Sequence, residues 1–292
     1  MIINLTGKIQ STYEGYQELI SILGKINNTE DTEIDVDFSG ASWFEANLSA
    51  VLGAIMQLAE AQGKTVSLLN FKQNVKDILQ RNMFLCEFGE VKLPNTGNTI
   101  VPYMKFSPSN DNEFLQYIRS ELLEKPDFPR HTERLGKKIS ESIFELFENA
   151  RTHGKCAVIH TCGQYYPNKV PKRLDLTIVD MGNTIKKNVN EYLGTDKSGP
   201  DAILWALQYG NTTKTGSISG GLGLDIIFQF IKLNKGKIQI ASSDGYWEYR
   251  EGNEFTAAFS GMFPGTIANL EFNLDDDSRY YLSDENPNDL IF

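Results

Sequence analysis

The chain has 292 residues, of which 40% are hydrophobic and 23% are charged, a balance that suits a globular protein of one large or two ordinary domains. Its net charge of -10 and its pI near 4.9 oppose non-specific binding to nucleic acids or to anionic membranes. No apolar run is long enough to span a bilayer, and the first residues lack the pattern of a secretion signal. Cys86, Cys156 and Cys162 lack metal-binding spacing, so we expect reduced thiols and a cytoplasmic protein.

The first 90 residues alternate between strand and helix patterns. Residues 34–40 alternate apolar and polar side chains, which predicts a strand. Residues 46–62 carry apolar side chains at helical spacing and precede Gly63, which predicts a helix. A second strand is predicted at 65–71 and a second helix at 74–85. Strands separated by helices of this length predict an α/β layer.

A connector is predicted at residues 93–112, where prolines and glycines are frequent, and it has room for one strand. The elements predicted beyond it are helices at 113–123, 134–153, 200–209 and 223–234, and strands at 156–162, 173–179, 237–242, 254–259 and 266–272. This order favours an α/β sandwich with helices on one face of a mixed sheet. The acidic tail at 276–292 is expected to be flexible or loosely docked.

The first of three segments with chemical potential lies late in the helix predicted at 134–153. Glu145 and Asn149 are four residues apart and therefore share a helix face. A carboxylate and an amide oxygen placed in this way can hold a divalent cation and orient a water beside a phosphate. Two solvated polar residues on an amphipathic helix are the alternative interpretation.

The second segment is the end of the strand predicted at 173–179. Asp180 follows this apolar strand, and Gly182 follows Asp180 by two positions. An aspartate there can accept a hydrogen bond from an exocyclic amine, and a glycine lets the backbone approach a flat ring closely. An ordinary turn after a strand is the alternative.

The third segment places Gly220, Gly221 and Gly223 directly before a helix pattern. Backbone N–H groups at a helix N-terminus are suited to binding phosphate. The segment lacks the Gly-Lys-Ser/Thr ending of a P-loop, and it does not follow a strand as a dinucleotide fingerprint does. A flexible loop remains the alternative.

Taken in this order, the three segments resemble the GHKL superfamily, which includes histidine kinases, gyrase and the anti-sigma serine kinases. ELFENARTHG at 145–154 resembles the N box, and VDMGNT at 179–184 resembles the first glycine box. GGLGL at 220–224 resembles the second glycine box, and PGTIANLEF at 264–272 resembles the closing strand. The resemblance implies a Bergerat-type α/β sandwich over residues 113–275 that binds ATP and Mg²⁺.

The resemblance also implies residue roles. Asn149 would be the magnesium ligand, and Glu145 would be the general base or would orient water. Asp180 would bind the adenine amino group, with Gly182 beneath the ring and Thr266 assisting through water. Gly220, Gly221 and Gly223 would face the phosphates. The resemblance also implies a mobile lid at 185–219, and Lys214 in this lid would be a fourth residue at the phosphates.

Two features of the sequence depart from the family pattern. Thr184 stands where the second glycine of the first glycine box is expected, and no phosphoacceptor helix pair precedes the domain. His153 resembles the anti-sigma form of the N box, but it can equally be a packing residue at a helix end. His131 is expected to be solvent-exposed.

Residues 1–92 resemble a STAS domain, the fold of anti-sigma-factor antagonists, with the match lying at 33–85. In that family a hydroxyl residue at a helix start accepts phosphate from a partner kinase. Here the corresponding stretch contains Glu45 and Asn47, and Ser49 comes too late to point the same way. The resemblance therefore implies a docking or regulatory module, in which Asn47 could cap the helix.

These features predict a regulatory protein that binds Mg-ATP, an anti-sigma-type Ser/Thr protein kinase or ATPase acting on a protein partner. The partner would be of STAS type or linked to transcription, without direct contact to nucleic acid or membrane. The alternatives are an ATP-gated switch without phosphotransfer, a histidine kinase-like ATPase that lacks its phosphoacceptor, and an interaction protein that binds no nucleotide. A homodimer is left open.

Overall fold

A computed structural model describes residues 1–208, 210, 211, 213 and 224–285. These residues form a mixed α/β protein with three sheets, of three, two and five strands. The α/β class predicted from the sequence is thereby confirmed. Within the described ranges, no helix has both the length and the apolar composition that a membrane crossing requires.

The N-terminal part is built on the three-stranded sheet, in which both strand pairs are parallel. Its elements are β1 (Ile2–Ile9), α1 (Tyr13–Asn28), β2 (Glu33–Phe44), α2 (Ser49–Ala61), β3 (Thr65–Leu69) and α3 (Gln73–Arg81). A single 3₁₀ turn at Ala46–Leu48 precedes α2. Strand β1 and helix α1 were not predicted, since the first strand predicted from the sequence lies at 34–40.

The remainder of the chain is built on the five-stranded sheet. Its elements are β4 (Ile100–Phe106), α4 (Asp111–Ile118), β5 (Arg130–His131), α5 (Glu133–Asn149), β6 (Ile159–Tyr166), β7 (Arg173–Asp180), α6 (Ile185–Leu193), α7 (Gly199–Leu207), α8 (Asp225–Leu233), β8 (Lys237–Arg250), β9 (Asn253–Asn273) and β10 (Arg279–Tyr280). The sheet order is β4-β6-β7-β9-β8, and all four pairings are antiparallel. The prediction of a mixed sheet is therefore wrong, since no strand pair of this sheet in the described residues is parallel. Its strands β8 and β9 form one long hairpin in place of the three separate strands expected from the sequence.

Both faces of the five-stranded sheet are covered. Helices α4, α5 and α8 pack on one face, and α1 and α2 of the N-terminal part pack on the other. The prediction of helices on one face is correct for the C-terminal part taken alone. The sequence explains the second layer, because seven consecutive residues of β7, Leu174–Asp180, are buried, so that both sets of alternating side chains need cover.

The structure adds elements to three of the predicted segments. The strand β4 lies within the predicted connector and forms an edge of the large sheet. Two helices, α6 and α7, occupy much of the predicted lid, where the sequence indicated only one, and both pack against β8. The acidic tail was expected to be flexible or loosely docked, and its described part, 276–285, is docked, since β10 pairs with β5 and Tyr280 is buried.

A charged cluster lies in the interface between the N-terminal part and the large sheet. The guanidinium of Arg173 donates to the carboxylates of Glu45 and Asp175, which are both fully buried. Lys237 and Glu271 form a second buried ion pair beside it, with their charged atoms 3.2 Å apart. Buried charges of this kind are tolerated only when they are paired, so the cluster fixes how the two parts meet.

We predict that Arg173→Met lowers the free energy of unfolding by about 3–5 kcal/mol, because it leaves two buried carboxylates without their cation. Lys172→Met is the matched control, since the adjacent Lys172 forms only an exposed ion pair with Asp275, and we expect it to cost less than about 1 kcal/mol. Urea denaturation of both variants measures the difference. Equal losses would show that the cluster does not hold the interface.

Candidate functional site

The helix α5 carries the first candidate residues. Thr132 caps its N-terminus by accepting a hydrogen bond from the backbone N–H of Leu135, and its apolar face is buried against the sheet. Glu145 and Asn149 lie on its last turns and are half-buried. The helix then widens into a π-helical turn at Ala150–Gly154, a feature that is frequent at functional sites.

A cavity of about 170 Å³ lies between α5, the end of the large sheet and α7. Four of the predicted site residues line it together: Glu145, Asn149, Asp180 and Thr266. Its apolar floor is formed by side chains that point to the same face of the sheet, namely those of Ile178, Ile240 and Ala268. Most of the remaining wall is made of residues that the sequence did not single out, among them Leu146, Asn183, Val189 and Trp205.

Asp180 is a buried carboxyl in the wall of this cavity. It is the last residue of β7 and pairs in register with Thr266 on β9. Its side chain is 5% exposed, and its Oδ1 is buried without a hydrogen-bond partner in the described part of the chain. Burial raises the pKa of Asp180 to about 8, although the backbone N–H groups of Gly182 and Thr266 act in the opposite direction. A buried acceptor without a partner is suited to a hydrogen-bond donor on a ligand.

Two glycines allow the backbone to close around Asp180. A Cβ on Gly182 would lie 2.1 Å from the carbonyl oxygen of Gly154, and a Cβ on Gly154 would lie 2.8 Å from Oδ1 of Asp180. The backbone N–H of Asn183 donates to the same Gly154 carbonyl at 2.6 Å. Gly182 does not itself line the cavity, so its place differs from the one expected beneath a bound ring. It is required for this close backbone contact.

The turn after Asp180 leads directly into α6. Thr184 is the N-cap of this helix, and its hydroxyl accepts from the backbone N–H of Lys187. This helix start explains why a threonine is suited to the position where the family pattern has a glycine. The hydroxyl of Ser242 then ties the turn to the sheet, because it accepts from the N–H of Ile185 and donates to the carbonyl of Gly265.

His153 and Trp205 form part of the cavity wall. The imidazole Nδ1 of His153 lies 2.9 Å from the hydroxyl of Thr213, and its carbonyl accepts from the side chain of Asn188. His153 is therefore a wall residue as well as a packing residue at the end of the helix. Trp205 lies on α7, within the segment 185–219 that the resemblance implies as a lid, but no role of its own was predicted for it from the sequence. His131 is half-buried and hydrogen-bonded to the carbonyl of Pro129, which differs from the expected exposure.

The residues implied at the phosphates, Lys214, Gly220, Gly221 and Gly223, lie outside the described residues. The two described residues that flank this segment are Thr213 and Leu224, and both line the cavity.

Glu145 and Asn149 are the residues for which the sequence indicates a role at a metal ion, and the resemblance makes Asn149 the ligand. Among the described residues, no group of three His, Cys, Asp or Glu side chains is placed to hold a metal ion. Glu145 and Asn149 line the cavity one helical turn apart, and neither forms a side-chain hydrogen bond with another described residue. Mg²⁺ commonly uses only one or two protein ligands together with substrate phosphates, so this pair is compatible with such an ion.

A comparison of the chain with protein-family models gives no match. A comparison with curated proteins also gives no match. The functional assignment therefore depends on the residues and their geometry.

We predict that Asp180→Asn changes how stability depends on pH. The folded pKa of Asp180 is about 8 and its ordinary value is 3.8, so the folded state binds more protons than the unfolded state between these values. Its contribution to stability therefore falls as pH rises toward 8, and asparagine removes this loss. We expect the difference in the free energy of unfolding, variant minus wild type, to be at least about 1 kcal/mol larger at about pH 8.5 than at about pH 5.

Urea denaturation at both pH values measures this gain, with the exposed Asp196 changed to asparagine as the control. Parallel stability profiles for the wild type and Asp180→Asn would contradict the burial of a protonated carboxyl at this position.

Proposed function

We propose that this chain is a GHKL-type regulatory protein that binds Mg-ATP in residues 113–275 and carries a STAS-like module in residues 1–92. The observation that carries the proposal is the common cavity of Glu145, Asn149, Asp180 and Thr266. These residues come from three segments that are far apart in the sequence. The resemblance assigns a nucleotide-binding role to each of them. In an unrelated fold, these four residues would not be expected to line one cavity.

The cavity is suited to a flat ring. Its volume of about 170 Å³ is close to the roughly 150 Å³ of a cavity that binds benzene. Aliphatic side chains of Ile178 and Ile240 would cover the ring faces, and Asp180 would accept a hydrogen bond from an exocyclic amine. Whole-ligand pockets usually measure about 300–1,000 Å³, so the sugar and phosphates would extend toward Thr213 and Leu224.

Glu145 and Asn149 would act at the phosphate end. The amide oxygen of Asn149 would hold Mg²⁺, which neutralises phosphate charge when it is bound. Glu145, one turn away on the same helix, would accept the proton of an attacking hydroxyl or orient a water molecule. The glycines 220, 221 and 223 are proposed to contribute backbone N–H groups to the phosphates, with Lys214 supplying a positive charge.

The protein substrate is proposed to be a separate chain. The stretch that corresponds to the family's phosphoacceptor contains Glu45, Asn47 and Ser49, and all three are fully buried. It also packs on the face of the large sheet opposite the cavity. Transfer to the module of the same chain would require the interface to open, which favours a partner in trans, of STAS type or linked to transcription.

An ATP-gated switch without phosphotransfer is the second candidate. It is favoured by the direct contact of α1 and α2 with the back of the strands that line the cavity. In this case the bound nucleotide would alter the contact between the two parts, and the partner would respond to that change.

We predict that the wild type binds Mg-ATP in isothermal titration calorimetry and that Asp180→Asn weakens binding at least about tenfold. The backbone N–H groups of Gly182 and Thr266 would hold the amide oxygen, so that the NH2 group, a donor, would face the amine of the base in place of Oδ1. Asn149→Ala should weaken binding more in the presence of Mg²⁺ than in EDTA. The exposed Asp196→Asn serves as the control and should bind like the wild type. Absence of binding by the wild type at millimolar ATP would contradict the proposed function.

A second prediction separates the kinase or ATPase from the switch. Glu145→Gln should keep Mg-ATP affinity and lower phosphate release or transfer about 100-fold, the range of a lost general base. Glu141→Gln, one turn earlier on the same helix and exposed, is the control. Radiolabelled ATP with STAS-domain proteins measures transfer, and the change in partner binding upon ATP addition measures the switch. An unchanged partner response in Glu145→Gln would support the switch and exclude a role for transfer.

A further inference from the structure

The cavity and the N-terminal interface share one wall. Successive side chains of β7 and β9 point to opposite faces of the sheet. Asp180 and Thr266 face the cavity, whereas Thr177 and Asn269 face the N-terminal part. Each of these pairs is also a cross-strand neighbour in the β7–β9 register, so the same two strands carry both pairs.

Asn47 contacts the second of these pairs from the N-terminal side. It is fully buried, and its side-chain nitrogen lies 2.9 Å from the hydroxyl of Thr177 and 3.2 Å from Oδ1 of Asn269. The same nitrogen lies 2.7 Å from the hydroxyl of Ser11, and the side-chain oxygen of Asn47 accepts a hydrogen bond from the hydroxyl of Tyr166 at 3.4 Å. Asn47 therefore lies inside the 3₁₀ turn and bridges to the sheet, and the cap expected from the sequence is not formed.

We propose that Asn47 is a positioning residue for the cavity, which holds the β7–β9 pair from the opposite face of the sheet and so sets the placement of Asp180 and Thr266. The proposal rests on the proposed function only for the identity of the ligand. If Asn47 has this role, docking of the N-terminal part affects the ligand affinity of a cavity that this part does not line.

The chemistry of the interface supports this role. Apolar neighbours of Asn47, among them Leu48 and Ala50, are fully buried and already supply the hydrophobic contact. An amide at the centre of such a contact adds little net stability, but it constrains relative position, because its donors and acceptors must meet their partners or remain buried without them. The hydroxyl of Thr177 also donates to Asn269 at 2.7 Å, so Asn47, Thr177 and Asn269 form one network across both strands.

The chain offers a matched control in Asn82. This residue is also a fully buried asparagine of the N-terminal part, and its side-chain nitrogen contacts Ser49 at 2.9 Å and the sulfur of Cys162 at 3.5 Å. Cys162 lies on β6, which contributes no residue to the cavity wall. Asn82 also donates to the carbonyl of Ala46 in the 3₁₀ turn, and Cys162 pairs with Thr177 across the strands. Loss of the Asn82 amide should therefore weaken the same interface without removing a hydrogen bond to a side chain of β7 or β9.

The first experiment measures positioning without any ligand. Amide hydrogen exchange is compared between the wild type, Asn47→Leu and Asn82→Leu, with attention to the backbone at 180–183 and 265–266. We expect exchange there to accelerate about fivefold or more in Asn47→Leu and to stay unchanged in Asn82→Leu, while both variants lose stability. Thr177→Val removes the partner hydroxyl from the sheet side and should reproduce the effect, which keeps the test valid if Asn47→Leu does not fold.

The second experiment measures Mg-ATP affinity in the same variants. Asn47→Leu and Thr177→Val should each raise Kd about fivefold or more, and the double variant should resemble either single variant, because both remove one network. Asn82→Leu should leave Kd within about twofold of the wild type. Equal effects of Asn47→Leu and Asn82→Leu on exchange at 180–183 and 265–266 would overturn the proposal, as would the absence of any effect.

The two hypotheses can fail separately. If the wild type binds no ATP while Asn47→Leu still accelerates exchange around Asp180, the positioning role stands and the proposed function fails. If the wild type binds ATP and the exchange and Kd of Asn47→Leu match those of Asn82→Leu, the positioning role fails and the proposed function stands.

Discussion

Burial of both faces of the five-stranded sheet is the constraint on which the rest of the structure depends. Because successive side chains of a strand alternate between faces, β7 and β9 each serve two environments at once. One set of side chains forms the floor of the cavity, and the other forms the interface with the N-terminal part. A substitution on one face of these strands therefore lies only one backbone layer away from the side chains of the other face.

The two faces differ in whether a ligand can reach their buried polar groups. In the interface, the carboxylates of Glu45 and Asp175 meet Arg173, and Asn47 is also hydrogen-bonded, although Oδ1 of Asp175 has no hydrogen-bond partner among the described residues. In the cavity, Oδ1 of Asp180 is also buried without a partner among the described residues. Asp180 lines the cavity and Asp175 does not, so only the acceptor of Asp180 is open to a hydrogen-bond donor on a ligand. This difference in access is the physical basis for regarding one face as the support and the other as the site.

The sequence predicted those parts of the fold that depend on local pattern. The helix α5 and the strand β7 have strong apolar periodicity, so they were found within a few residues of their observed bounds. The cavity residues Glu145, Asn149, Asp180 and Thr266 were named because their segments resemble the boxes of one family in the right order. That these residues share one cavity depends on the tertiary structure. The family resemblance implied it, but no local sequence pattern predicted it.

Other features depend on contacts between distant residues, and the sequence did not reveal them. The tight contact of Gly182 with Gly154 joins two segments that no spacing rule connects. The bridge from Asn47 to Thr177 spans the two parts of the chain, and a capping role was the nearest local interpretation of this residue. The helix α6 was missed because its apolar content is low, although Thr184 is a good N-cap.

The central claim of this account is that the cavity binds the base of ATP. The most direct measurement is a crystal structure of the protein with Mg²⁺ and a non-hydrolysable ATP analogue. The account predicts that the adenine amino group lies within hydrogen-bonding distance of Asp180, with the ring between Ile178 and Ile240 and the phosphates beside Asn149. A nucleotide bound elsewhere on the chain, or a base that does not reach Asp180, would contradict it.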